Sequence, residues 1–523
     1  MTEEEGAPLD IKFQQRFSKN LISNVVYFVL NVIIGLALVP FFLDTLGEAA
    51  YGLIPLATSL TSYVTLVIDA VNGAIARYLT IDLQRGDTTK ANETFNTAVF
   101  GTLGIILILV PISIIVAGLA PSIFDIGTES PTAVFLIFAL VFGSILIRAW
   151  SSNFMVTLFA YNRLDLRNYV NITNILVQLI LVIILFICIN PSLPFVGLSY
   201  FFASFISLVF AYGLSKWLCP FLTIKPSAFS KLRMREILGI AGWTTITKLG
   251  LVLKGQVALM IVNIMFGAIA GTQYSLALLW SSLLIGIISM VTNCFTPMIY
   301  SYRARDDKHG MKKFVAFSVK ITTLITALLI GLVCIFAAQL LKIWVGEEYM
   351  FLASLVMVII IPVIFSVQSS CCAPVNAAYV KVRLPAIANI FGGGLTIILA
   401  LTLPNIFGIE MYGVALGVGI STCLISCFIS PIYGAYILNT RLSTFLKPAV
   451  PGYIALVILI LFGILLNNLF SIDTLFEVLL AGGIITIVYF LIIFKILLTK
   501  NERILIRSCI PSYIAKVIPQ WLL

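Results

Sequence analysis

Charge is scarce in this sequence. Of its 523 residues only 10% are Asp, Glu, Lys or Arg, one is histidine, and 60% are hydrophobic. A soluble domain carries roughly 25% charged residues, so the composition excludes a water-soluble globule, a disordered chain and a soluble enzyme with a membrane tail. Cysteine excludes more. The nine cysteines follow no framework spacing, and most (Cys188, Cys294, Cys334, Cys371, Cys372, Cys423, Cys427) fall inside apolar runs, where a thiol acts as a small hydrophobe. His309 stands alone in a basic loop, so no metal site is expected. No P-loop, nucleophile elbow or carboxylate pair is found, so neither an enzyme nor a cofactor is expected.

What the chain does have is apolar length, with a mean hydropathy of +1.10. Runs near 21–43, 51–76, 95–119, 132–160, 170–189, 197–218, 237–266, 274–300, 314–341, 350–379, 386–407, 412–438, 446–470 and 475–498 are each long enough for a helix to cross a hydrocarbon core of about 30 Å. The fold class is therefore all-α and polytopic, with about fourteen membrane-spanning helices. The sequence opens Met1-Thr2-Glu3-Glu4-Glu5, without the basic n-region of a signal peptide, so the first run is expected to stay in the membrane.

A formal charge of +10 would point to nucleic acid in a soluble protein. On this map it does not. Twenty-seven of the 32 Lys and Arg fall on the side of the termini, one (Lys342) on the opposite side, and four (Arg148, Lys248, Lys254, Lys320) within spans. With the acids included, the terminal side carries +15, the opposite side −8 and the spans +3. An excess of Lys and Arg in short loops marks the cytoplasmic face, so both termini are expected in the cytoplasm and the chain in the cytoplasmic (inner) membrane. No nucleic-acid partner is expected; membrane lipids are. The opposite-side loops are short, which argues against an extracytoplasmic enzyme such as a polymerase or ligase.

An internal repeat organises the spans. At an offset of 220, Gly47 overlays Gly267, Leu56-Ala57 overlays Leu276-Ala277, and Asp87 overlays Asp307; at 218, Ser151-Ser152 overlays Ser369-Ser370, and Ala160-Tyr161 overlays Ala378-Tyr379. A six-helix unit enters the membrane in the same direction twice, giving a parallel repeat about an axis along the membrane normal. The expected divisions are a first lobe at 1–218, a linker at 219–236, a second lobe at 237–438, two added spans at 439–498 and a tail at 499–523. Ile504, Leu505, Ile510 and Trp521 in that tail suit a position at the membrane surface.

The repeated segments also carry a family resemblance. Leu46-Gly47-Glu48-Ala49-Ala50-Tyr51-Gly52, Phe266-Gly267-Ala268 with Tyr274-Ser275-Leu276-Ala277, and Trp344-Val345-Gly346-Glu347-Glu348-Tyr349 resemble the polysaccharide-export branch of the multidrug/oligosaccharidyl-lipid/polysaccharide (MOP) exporter superfamily. Within it the chain looks like a Wzx-type flippase for O-antigen or other repeat units. The resemblance implies two lobes in a V, a central cavity, and alternating access that moves a polyprenyl-pyrophosphate-linked oligosaccharide. It also implies polysaccharide-assembly proteins as partners. The alternatives are an ion-coupled antiporter of cationic drugs, for which a cavity at +3 has the wrong sign, and a membrane-embedded polymerase or ligase.

An ionisable side chain in the bilayer costs roughly 2.5–3.5 kcal/mol on insertion scales, so each is a functional candidate. Arg148 is central in span four, placed either to bind an anionic substrate group or to make a structural pair. On span seven, Thr245, Lys248, Gln256 and Asn263 share one face, whereas Lys254 projects to the other side unless the helix is distorted. Arg148, Lys248 and Lys254 are the candidate pyrophosphate ligands. Span two presents Thr58, Ser62, Thr65, Asp69 and Asn72. Asp69 is open to three readings: an ion-coupling site, the partner that neutralises Arg148 or Lys248 between substrates, or a structural salt bridge. Ser289 and Asn293 on span eight, with Asn72, are candidates for the polar lining. Such hydroxyl and amide faces also glue helices together.

Overall fold

The structure is a computed structural model that describes residues 9–470, 472, 474–499 and 502–503. Among these residues every regular element is a helix. They are α1 (Leu9–Leu46), α2 (Glu48–Gln84), α3 (Thr88–Ile123), α4 (Pro131–Ala160), α5 (Leu164–Cys188), α6 (Leu193–Leu218), α7 (Lys231–Ala304), α8 (Lys308–Val345), α9 (Ala353–Ile360), α10 (Val363–Ala378), α11 (Arg383–Phe407), α12 (Glu410–Cys423), α13 (Ser430–Leu438), a single turn α14 (Ser443–Leu446), α15 (Val450–Leu469) and α16 (Leu475–Ile492). The surface-seeking tail at 504–523 lies outside the described residues.

Thirteen segments among the described residues are long and apolar enough to cross a membrane. The chain is a multi-pass membrane protein. The sequence calls for fourteen spans, and the difference is α7. A straight helix of its 74 residues would be about 110 Å long, far more than one crossing needs. Gly267 breaks it with φ 92 and ψ 175, a backbone conformation that a Cβ disfavours. Its two limbs, 231–266 and 268–304, account for spans seven and eight.

The repeat reappears in the backbone. Gly47 (φ 86, ψ 166) opens α2 much as Gly267 opens the second limb of α7. Asp87 and Asp307 cap α3 and α8 with identical φ −83 and ψ 83, each accepting a backbone N–H three residues on. Asn162 and Val380, at an offset of 218, both turn left-handed after α4 and α10, with φ 55 and φ 56.

By contact the chain divides into two compact units, Met1–Ser275 and Leu276–Leu523. In the first, α4 packs most broadly on α6 and also on α2 and α3. The reason is legible in α6, where Ser199, Ala203, Ser207, Ala211 and Ser215 recur every four residues and are all buried. In lipid no hydrophobic force drives helices together, so small residues that let backbones approach supply the packing. A Cβ at Gly197 would lie 3.0 Å from Leu140 and 3.3 Å from the Ile137 Cα. At the end of the stripe the Thr157 hydroxyl donates to Ser215 at 2.8 Å. Residues 219–230 do not hang free. Asn92 and Asn96 of α3 each bond both a carbonyl and an N–H of this segment, at 2.7–3.1 Å.

In the second unit, α8 packs most broadly on α15, and α11 on α12. The Ser421 hydroxyl donates to the Gly392 carbonyl at 2.7 Å between α11 and the helix after it. α16 lies over α8 through Val478, Ile485 and Tyr489, and the Tyr489 hydroxyl donates to the Leu324 carbonyl at 2.8 Å.

Candidate functional site

The polar stripe of α2 sorts itself by what each group already bonds. Thr58 donates to the carbonyls of Ile54 and Pro55, and Thr65 to that of Thr61 at 3.0 Å. These hydroxyls are satisfied within their own helix and need nothing from outside. Asp69 and Asn72 instead reach other helices. The Lys248 ammonium of α7 donates to Asp69 Oδ2 at 2.8 Å. The Ser152 hydroxyl of α4 donates to Asn72 Oδ1 at 3.0 Å.

The Asn72–Ser152 bond fixes where Arg148 stands. α2 and α4 are separated by one intervening span and run in the same direction. Asp69 and Arg148 precede the bonded pair by three and four residues, about one helical turn or 5 Å, so they occupy the same level of the first unit. Arg148 is exposed and makes no hydrogen bond or ion pair among the described residues. Tyr200 of α6 lies within electrostatic reach of its guanidinium, with Gln178 of α5 beside the Tyr200 hydroxyl. The side chains of Lys248 and Asp69 are 39% and 49% exposed. Charges this accessible in the middle of spans cannot face hydrocarbon at 2.5–3.5 kcal/mol each, so the face they share is a wetted one. Among the described residues this belt of the first unit holds two cations and one anion, Arg148, Lys248 and Asp69, and its net charge is +1.

The pair at its centre is weakly committed. An ion pair open to water contributes roughly 0–1 kcal/mol, whereas a sealed pair would cost several kcal/mol to open. A multiply charged anion can therefore take Lys248 from Asp69. Arg148 offers the planar fork that matches phosphate or carboxylate oxygens bidentately, and Lys248 a point charge.

The remaining candidates are distributed unevenly. Thr245, three residues before Lys248, donates to the Ala241 carbonyl at 2.9 Å and is half-buried. Lys254 and Gln256 are half-buried, and neither has a hydrogen-bond partner among the described residues. Lys254 lies six residues past Lys248, about 120° away around the helix, and is not part of the Lys248–Asp69 pair.

Asn263 is a correction. It is 1% exposed. Its amide spans the backbone of Asp125, accepting from the N–H at 3.0 Å and donating to the carbonyl at 3.2 Å. Asp125 Oδ2 in turn accepts from the N–H of Ala268 at 2.9 Å. Asn263 latches the α3–α4 loop to the bend at Gly267 and lines no accessible face. Ser289 and Asn293 are exposed on the second limb of α7, in the other unit, where Ser289 donates to the Ile285 carbonyl at 2.8 Å. The positions equivalent to Asp69 and Arg148 in that unit are Ser289 and Ser366, so neither of these two charges recurs there. Among the described residues no group of three His, Cys, Asp or Glu side chains is placed to hold a metal ion.

Sequence reasoning did not single out Tyr200, Gln178 or the pairing role of Ser152. A lone Tyr, Gln or Ser within a span is ordinary, and only the neighbouring helix gives it meaning.

No protein-family model matches the chain. Over 498 residues, 94% of this chain and 97% of the other, it is 24% identical to EpsK, an uncharacterized membrane protein of Bacillus subtilis (strain 168). Among solved structures, an inward-facing multidrug-resistance MATE transporter of the MOP superfamily superposes with a TM-score of 0.69 at 11% identity, covering 78% of this chain and 94% of that one. The lipid II flippase MurJ, in an inward closed conformation, superposes at 0.66 and 15% identity, covering 91% of this chain and 99% of that one. The eukaryotic MATE transporter AtDTX14 gives 0.63 at 13% identity, over 84% and 99%. The chain has the fold of the MOP-superfamily transporters.

Proposed function

We propose that this protein is a flippase that carries a polyprenyl-pyrophosphate-linked oligosaccharide from the cytoplasmic to the outer leaflet of the cytoplasmic membrane, with both termini in the cytoplasm. The observation that carries this reading is the sign and accessibility of the belt. Arg148 is unpaired among the described residues, Lys248 is held by an open bond to Asp69, and both reach a wetted face at mid-span. A pyrophosphate is the part of such a substrate that hydrocarbon tolerates least. Arg148 takes phosphate oxygens through its fork. Lys248 exchanges Asp69 for the phosphate, and Asp69, left without its cation, becomes able to take up a proton or a sodium ion. Lys254 adds charge further along α7. Sugar hydroxyls meet Asn72, Thr245 and Gln256, with Ser289 and Asn293 serving the second unit's face. No bond of the substrate is made or broken, so the protein is a transporter and not an enzyme. Exposure of the site to one side of the membrane at a time completes the cycle, and polysaccharide-assembly proteins supply and consume the cargo.

The second reading, an antiporter of cationic drugs, draws on the MATE transporters that superpose equally well. The fold does not separate the two; what supports the first is the sign of the belt, since a cation site is favoured by net negative charge and the belt's acid is already matched by a lysine. Purified protein in vesicles decides between them. With the first reading, a fluorescent lipid-linked pyrophosphoryl oligosaccharide becomes accessible on the second leaflet, and an imposed proton or sodium gradient drives no uptake of ethidium. Ethidium uptake without lipid movement would replace it with the second.

A further inference from the structure

A second cationic site lies in the second unit, at the Lys- and Arg-rich ends of its helices. A pocket of about 580 Å³ is lined by Lys313, Lys320, Lys447 and Glu502 together with Tyr302 and an apolar wall of Phe314, Phe317, Pro448 and Pro451. Lys320 is well buried and spoken for, donating to both Glu502 oxygens at 2.8 and 3.1 Å and to the Leu497 carbonyl at 2.7 Å. Lys313 and Lys447 are exposed and have no partner among the described residues. Among the described residues the pocket thus holds three cations against one carboxylate, and that carboxylate shows what chemistry the cations accept.

We propose that this pocket binds the headgroup of an anionic phospholipid, with the phosphate between Lys313 and Lys447. Charge complementarity selects the anion, and the wall selects a lipid over free phosphate. Pro451, which lines this pocket, and Leu497, whose carbonyl Lys320 bonds, line an apolar groove of about 480 Å³ along α15 and α16, so an acyl chain can leave the headgroup without entering water. Basic pockets between spanning helices are suited to such headgroups, and each lysine near an anionic membrane surface contributes about 1 kcal/mol. The site is independent of the belt in the first unit and uses none of its residues.

The test uses the full chain in phosphatidylcholine nanodiscs containing a trace of spin-labelled phosphatidylglycerol or spin-labelled phosphatidylcholine. The expected result is an immobilised fraction that favours phosphatidylglycerol. Lys313→Gln with Lys447→Gln should weaken that preference roughly thirty-fold, and Lys313→Arg with Lys447→Arg should keep it. The proposal is overturned if wild type holds the two lipids alike, if the Gln pair leaves the preference intact, or if millimolar inorganic phosphate displaces the label, which would make this a free-phosphate site. Should the Gln pair fail to fold, the wild-type preference, the Arg pair and the phosphate arm decide the question without it.

Discussion

At the scale of single residues, four cations in spans have four different fates. Among the described residues Arg148 has no ionic partner, Lys248 meets Asp69, Lys254 is half-buried without a polar contact, and Lys320 is neutralised by Glu502. Their cost in a bilayer makes all four conspicuous in the sequence, but the sequence does not name their partners. The partners separate them, and those come from other helices. Asp69→Asn should leave stability nearly unchanged, by less than about 1 kcal/mol, because the pair it removes is open to water. Thermal unfolding in detergent reads this, and a loss of many degrees would mean the pair is structural. Glu502 makes a pH prediction. Burial favours its neutral form, but the bonds from Lys320 and from the Thr499 N–H and hydroxyl outweigh that and hold its pKa below the ordinary 4.5. A depressed carboxyl pKa adds stability that is complete above the unfolded-state value and is lost as pH falls through the folded one. The Lys320–Glu502 contact should therefore survive at pH 4.5 and release only in more acidic solution. The carboxylate band in infrared difference spectra of wild type against Glu502→Gln follows it directly.

At the scale of elements, the same physical rule made some features legible and hid others. A bilayer satisfies no backbone polar group, so apolar runs of about twenty residues had to be helices, and the small-residue stripe of α6 had to be a packing face. Gly47 and Gly267 stood out as a repeat before their matching left-handed φ gave the reason. Asn263 is buried against a loop rather than on the accessible face its sequence position suggests, because a helical wheel gives the direction of a side chain and not what waits there. In this case it is the loop at Asp125, brought back by the α3–α4 turn. The latch has a measurable consequence. Asn263→Ala removes both bonds to the Asp125 backbone, and a buried polar group stripped of its partner costs about 1–3 kcal/mol. The expected result is a lowered unfolding midpoint, with Asn263→Asp failing to restore it because a carboxylate cannot donate to the Asp125 carbonyl. A stability equal to wild type would refute the latch.

At the scale of the whole molecule, fold and site are encoded differently. Helix number, the repeat and the membrane class follow from composition and periodicity, and superposition on the MATE and MurJ transporters agrees with them. The proposed chemistry of the cargo follows from neither, because a multidrug-resistance transporter and a lipid II flippase both superpose on this backbone. It rests on a net charge of +1 among the described residues at one level of the first unit, where the equivalents of Asp69 and Arg148 in the second repeat are Ser289 and Ser366. The measurement that reaches this claim most directly is translocation of a lipid-linked pyrophosphoryl oligosaccharide in vesicles by wild type, Arg148→Ala, Lys248→Ala and the double variant. Losing a charge-assisted bond to phosphate costs about 1.5–3 kcal/mol, so each single variant should slow flipping at least about tenfold, and the double variant should abolish it while its unfolding midpoint stays near wild type. Full flipping by the double variant would contradict the account.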